Sequence, residues 1–264
     1  MARTISGLGR CGLNNTAPDL LPFLYETEPT SGWHQGMEII TQSLLAHEIL
    51  PSGARLEIGC GGGMLLAQMA RQSPAKQFYG IDRHPLALAY AKKRFDDQAN
   101  LHFVQADLHN LPFPTAGFAV VLALDTLDQQ GVDLPQALAD IWRVMEPDGL
   151  LLLRVSTYQW LQGWHDAAFN TEQRYNKEVL IQICQKCRFK LLRLTHCNTF
   201  LAPAIILSRL LQRWLHLSST IYPYKSPVLN RIVDLTLKCE ARWLKHRNLP
   251  FGLSIYTLLQ KEIT

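Results

Sequence analysis

An α/β fold around a mostly parallel sheet is predicted by two observations. Apolar runs of strand length alternate with runs at helical spacing, and a glycine-rich turn stands where the first strand opens into a helix. With 264 residues and 47% hydrophobic composition, the chain can bury a sizeable core as one enzyme-sized domain carrying an insertion.

The first strand is Ala54-Arg55-Leu56-Glu57-Ile58, and the helix after it runs from Met64 to Arg71 with apolar residues 65, 66 and 69 facing the sheet. Gly59-Cys60-Gly61-Gly62-Gly63 joins them. Glycine takes positive φ without steric cost and admits a ligand close to the backbone, and a helix start offers free N–H groups. The spacing departs from the G-x-G-x-x-G of a dinucleotide site. Glu57, two residues before Gly59, repels a pyrophosphate and suits a cationic amine. A cofactor with an ammonium group and no phosphate is expected.

The second strand, Gln77 to Ile81, ends in Asp82-Arg83, with Asp82 standing 19 positions after Gly63. Its carboxylate either accepts both hydroxyls of a ribose or caps a helix starting at His84-Pro85. The third strand, Leu101 to Ala106, is followed by Asp107-Leu108, an acid for an adenine amino group with a leucine over the ring, or a plain turn. Phe118 to Asp125 is a fully buried strand, Leu134 to Met145 a helix, and Leu150 to Val155 the fifth strand. A helix over Lys177 to Cys187, a sixth strand over Phe189 to Thr195 and a last strand over Leu253 to Lys261 complete the pattern.

In this order, Glu57 to Gly63, Asp82, Gln105-Ala106-Asp107-Leu108 with Leu111-Pro112-Phe113, Phe118 to Asp125, and Arg143 to Gly149 resemble the class I S-adenosylmethionine-dependent methyltransferases of the small-molecule type 11 group. The resemblance covers about residues 33 to 197 and 252 to 261. It implies a Rossmann-like, seven-stranded, mostly parallel sheet with helices on both faces and a helical lid inserted before the last strand. The expected division is a flexible N-terminal arm over 1–32, the cofactor-binding domain over 33–197 and 251–264, and a basic lid over 198–250. It also implies S-adenosylmethionine as cofactor. Glu57, Gly59, Cys60 and Gly61 would hold the methionine end, Asp82 with Arg83 the ribose, and Asp107 and Leu108 the adenine, with Leu124 and Asp125 beside the sulfur.

A narrower likeness to a bacterial subgroup rests on Ser156 to Leu161, His165-Asp166, Arg174-Tyr175, Trp33-His34 and Pro250 to Ser254. It suggests His165 as a base with Asp166 as its orienter, although a structural histidine and a helix-capping aspartate fit the same residues. Trp33 and His34 would close over the cofactor, and Tyr158, Trp160 and Trp164 would wall the acceptor pocket or simply pack in the core. Where the family commonly has Glu-His after the fourth strand, this chain has Asp128-Gln129, so no basic role passes to a histidine there. The activity implied is methyl transfer to a small-molecule acceptor, most often a hydroxyl in the resembling family. A non-catalytic partner that keeps the fold and binds another enzyme is the rival reading.

Residues 188 to 247 hold 11 Lys and Arg against Asp234 and Glu240, while the rest of the chain holds 15 against 20. Basic helices there either pack on the sheet edge with solvated faces, cap a site for an anionic or amphiphilic acceptor, or lie on an anionic membrane surface. Phe200 to Leu207 is too short to span a bilayer. No RNA-binding motif or basic-aromatic platform stands out, so nucleic acid is not an expected partner. The six cysteines show a lone C-x-x-C at 184 and 187, and the histidines no H-x-x-x-H pattern, so a reducing compartment and no metal are expected. The first residues lack an apolar signal region. A cytoplasmic location, or one at the periphery of the inner membrane surface, follows as the expectation.

Overall fold

The computed structural model describes residues 20–46, 48–163, 166–167, 169–215 and 226–262. The apolar runs become β1 (Arg55–Ile58), β2 (Phe78–Asp82), β3 (Leu101–Gln105), β4 (Phe118–Leu124), β5 (Met145–Ser156), β6 (Phe189–Cys197) and β7 (Ser254–Lys261). They form one seven-stranded sheet in the order β3-β2-β1-β4-β5-β7-β6. The first five strands pair in parallel, and β7 lies antiparallel to both β5 and β6. β1 is buried throughout despite its charged Arg55 and Glu57, and β4 nearly so, the continuous apolar sequence of β4 being what a strand covered on both faces requires.

The helices are α1 (Leu20–Thr27), α2 (Gly32–Leu45), α3 (Met64–Gln72), α4 (Pro85–Phe95), α5 (Leu134–Val144), α6 (Lys177–Lys186), α7 (Ala202–Trp214) and α8 (Pro227–Leu244). Alternation along β4 and β5 divides the core. Val120, Leu122 and Leu152 join α2, α3 and α8 in one cluster, whereas Val121, Ala123, Leu151 and Leu153 join α5 and α6 in another. Helices therefore cover both faces, as expected of a Rossmann-like sheet. Between β6 and β7 come α7 and α8. The second of these packs on α2, where a Cβ on Gly36 would fall 2.4 Å from Leu237 Cβ, and the Gly32 N–H donates to Asn230 Oδ1 at 2.7 Å.

Two expectations need revision. The arm anticipated over 1–32 lies outside the described residues only up to 19. From Leu20 the chain forms α1 and a 3-10 turn over Glu28–Thr30, held to α4 by Arg94, whose guanidinium donates to Tyr25 O and pairs with Glu28 at 3.0 Å. The fifth strand begins at Met145, earlier than its apolar run, because Met145 pairs with Phe118 before a register shift carries the ladder on to Val120 and Leu150, leaving Glu146 to Gly149 bulged out between them.

Candidate functional site

The strand order reverses between β1 and β4, and such a switch point leaves a crevice at the carboxyl ends of the strands. A cavity of about 1280 Å³ opens there, walled by α1, α2, the tips of β1 to β4, the loops after β4 and β5, and the inner faces of α7 and α8.

The turn after β1 owes its shape to glycine. Gly59 has φ +71°, and a Cβ there would sit 2.2 Å from Thr126 Oγ1, which donates to Ile58 O at 3.0 Å. Gly63 has φ +76° and backs on Phe103, whose Cζ would lie 2.6 Å from an added Cβ. Cys60 is buried beside them with its thiol raised well above the usual range, first by burial and then by Glu57, and so is not a reactive thiolate.

Acidic groups gather on this side of the cavity. Glu57, Glu28, Glu38 and Asp82 all line it. Glu57 is 5% exposed and its Oε2 has no hydrogen-bond partner, so burial, reinforced by repulsion from Glu28 and Glu38, pushes its carboxyl up to about 8. Glu38 is raised to about 7 by burial and by Glu28. A cluster of carboxyls that cannot all ionise together is matched by a ligand carrying a positive amine.

Asp82 is not the cap of α4; that position belongs to His84, whose Nδ1 accepts the Leu86 N–H at 3.3 Å. Instead Asp82 accepts the Gly61 N–H at 3.1 Å and the His84 N–H at 2.8 Å, tying β2 to the glycine turn. Asp107 at the end of β3 accepts from the His109 N–H and from His109 Nδ1, both at 2.8 Å, and these contacts hold its carboxyl below the ordinary range. His109 Nε2 in turn accepts the Asp133 N–H at 3.2 Å, which leaves the ring proton on Nδ1. Asp82, Arg83, Asp107 and Leu108 line the cavity together with Gly59, Cys60 and Gly61.

Beyond β4 the wall changes sign. Leu124 and Asp125 both line the cavity, and Asp125, at φ +53°, forms a two-pronged ion pair with Arg154 of β5 at 2.8 and 2.6 Å. Arg154 Nη1 also donates to Tyr256 OH at 2.8 Å, and Tyr256 lies 2.6 Å from Thr41 Oγ1, which itself donates to Met37 O at 2.9 Å. The chain of bonds therefore runs from β5 through β7 to α2. Trp33 and His34, at the start of α2, line the cavity; burial and the nearby Arg154 lower His34 to about 4, and its Nδ1 has no partner.

Asp166 is not in the wall. It is 2% exposed and engaged by Arg174, by the Gly163 N–H at 2.7 Å, and by Arg209 at 3.8 Å. It holds Arg174 and Arg209, which do line the cavity. Arg174 Nε is buried with no hydrogen-bond partner. His165 and Trp164 lie outside the described residues. Tyr158 and Trp160 are turned away from the cavity lining: Tyr158, at φ +59°, stacks on His196 and Phe251, and Trp160 is 51% exposed. Leu161, Leu201, Ile205 and Leu253 supply the apolar wall expected of those aromatics. Asp128 is buried, accepts the Ser156 N–H at 2.8 Å, and is raised by burial and by Asp125, which makes it a brace for the loop after β5.

Sequence reading missed Tyr25, Glu28, Glu38 and Arg154. The signals were present for two of them: His34, Met37, Glu38 and Thr41 recur at helical spacing and share the cavity face of α2, and Arg154 is a lone charge inside an apolar strand.

Residues 56–153 match the family described as a methyltransferase domain, type 11. Over 117 residues the chain is 32% identical to a malonyl-[acyl-carrier protein] O-methyltransferase of Serratia marcescens, covering 44% of each protein. Over 132 residues it is 28% identical to a fatty-acid O-methyltransferase of Mycolicibacterium smegmatis, covering 47% of each. The chain thus spans less than half the length of these curated relatives. Phosphoethanolamine N-methyltransferase 2 of Haemonchus contortus, solved in complex with S-adenosyl-L-methionine, shares the fold with a TM-score of 0.58 at 17% identity, over 88% of this chain and 53% of that one. An orphaned carboxyl, an acidic cluster for an ammonium group and a glycine cradle fit that cofactor on that fold. Residues 56–153 carry a methyltransferase domain of the type 11 group, and the cradle at the strand tips fits S-adenosylmethionine as its cofactor.

Proposed function

We propose that the chain transfers a methyl group from S-adenosylmethionine to a hydroxyl of an anionic or amphiphilic small molecule. The observation that carries this reading is a single cavity joining the acid-tipped strands to a second half walled by Arg154, Arg174, Arg209 and apolar residues of α7 and α8. Names of relatives that specify O-methylation, one of them of a fatty acid, support an oxygen acceptor with an apolar body.

When bound, S-adenosylmethionine supplies a methyl already activated on a positive sulfur. Glu57 and the Gly59 to Gly61 backbone would receive its amino-acid end, Asp82 with Arg83 the ribose, and Asp107 with Leu108 the adenine, while Leu124 and Asp125 would border the methyl-bearing part. Trp33 and His34 border the acceptor, and His34, kept uncharged by burial, offers Nδ1 to a hydroxyl proton. Arg174 and Arg209 meet an acceptor's anionic group. His165 is retained as the proposed base. Holding the two reactants in line contributes about 7–11 kcal/mol in favourable cases, and a base about two to four powers of ten in rate.

The test is transfer of tritiated methyl to a panel of hydroxylated and carboxylated amphiphiles. Labelled product is expected, lost in Asp82→Ala and lowered about 10²- to 10⁴-fold in His165→Ala. Cofactor binding by calorimetry with no transfer to any acceptor would favour the non-catalytic partner, and absence of cofactor binding would sink both.

A further inference from the structure

The two helices between β6 and β7 expose more apolar surface than their own packing uses. On α7, Ala204, Ile205, Ser208, Arg209 and Gln212 face the cavity. A second row, Leu207, Leu210, Leu211, Trp214 and the following Leu215, repeats at three- and four-residue spacing and is 45% to 77% exposed. On α8 the inward row is Val233, Leu237, Ala241 and Leu244, and the outward Val228, Ile232 and Leu235 are 71%, 52% and 49% exposed. Single exposed leucines are ordinary, but periodic rows on two helices that wall one cavity mark a contact surface.

Charge says what kind of contact. Arg231, Arg242, Lys245 and Arg247 are exposed on or just after α8. The two acids of this segment point inward: Asp234 pairs with Lys238 at 2.8 Å, and Glu240 accepts the Phe200 N–H at 2.9 Å. An apolar face fringed by positive charge is complementary to an anionic lipid surface, into which such helices settle lengthwise. No described helix is long and apolar enough to cross a membrane. The cavity also reaches this face, because Leu229 and Ile232 belong to its wall and are 38% and 52% exposed.

We propose that the outer faces of α7 and α8 dock on an anionic bilayer, and that the acceptor enters the cavity from that surface. The entry route rests on the amphiphilic acceptor proposed above; the docking does not. Flotation of the purified chain with phosphatidylglycerol–phosphatidylcholine vesicles tests it. Binding is expected, weakened about fivefold by each of Arg231→Ser and Arg242→Ser, and about tenfold or more by Trp214→Ser. Unchanged calorimetric binding of S-adenosylhomocysteine by these variants shows that they stay folded. Binding no stronger than to pure phosphatidylcholine overturns the proposal, as does sedimentation velocity showing a dimer that Trp214→Ser dissolves, since a second copy would then cover the face. Absence of S-adenosylhomocysteine binding by the parent chain would count against the methyltransferase reading alone, whatever the vesicles do.

Discussion

At Glu57 a carboxyl is kept protonated near neutral pH until a cation arrives. Its ordinary value is 4.5 and its value in the fold about 8, so the folded chain holds a proton that the unfolded chain has released. The stability it contributes is full at acid pH and is lost as pH rises through about 8. Glu38, raised to about 7, acts in the same direction. His34, lowered from 6.5 to about 4, acts oppositely: its contribution is full above 6.5 and lost as pH falls through about 4. Of these three groups, only the carboxyls act between about pH 6.5 and 8.5, so the melting temperature of the free chain should fall across that window. Glu57→Gln should flatten the fall while weakening S-adenosylhomocysteine about 10- to 100-fold, the scale of about 1.5–3 kcal/mol for a hydrogen bond to a charged group. Melting curves and calorimetry read the two effects; an unchanged slope with unchanged affinity would remove Glu57 from the site. Glu57 and Asp82 were legible in the sequence because each follows directly from a strand and a turn. Glu28 was not, and Arg154 showed only as a lone charge in an apolar strand, since what each does depends on partners from distant elements, Arg94 for one and Asp125 and Tyr256 for the other.

Among the elements, the strands were the most legible, because burial on both faces writes an uninterrupted apolar run. The pairing of α2 with α8 was not legible, because small residues on one helix and bulk on the other make sense only together. Gly36 is the tight point, with Leu237 Cβ 2.4 Å from where its own Cβ would be. Gly36→Val should cost about 1–3 kcal/mol through overpacking and shift α8 away from α2. Denaturant unfolding measures the loss, and a neutral result would mean that α8 moves freely. The helix α1 escaped sequence reading for a related reason: its contribution lies in contacts with α4, where Arg94 reaches Tyr25 and Glu28.

Over the whole molecule, a ligand that bridges four strand tips and α2 should act as a brace. At about 100 times its dissociation constant, S-adenosylhomocysteine should add about 2.7 kcal/mol of stability. For a domain of this size that is roughly 5–10 °C in melting temperature, and a shift absent at saturation would argue that the ligand binds away from the sheet. The uneven spread of charge was visible in sequence, but which way the basic residues face needed the helices in place.

The topology also has a bearing on how the chain is made. β7 follows both of its neighbours in chain order and, among the described residues, is the only strand that pairs with β6. On the ribosome, β1 to β5 can assemble as soon as they emerge, whereas β6 waits for β7, with α7 and α8 held in the intervening loop. The nucleoside half of the crevice is thus free to take shape early. The half proposed to take the acceptor is completed last, when β7 closes between β5 and β6.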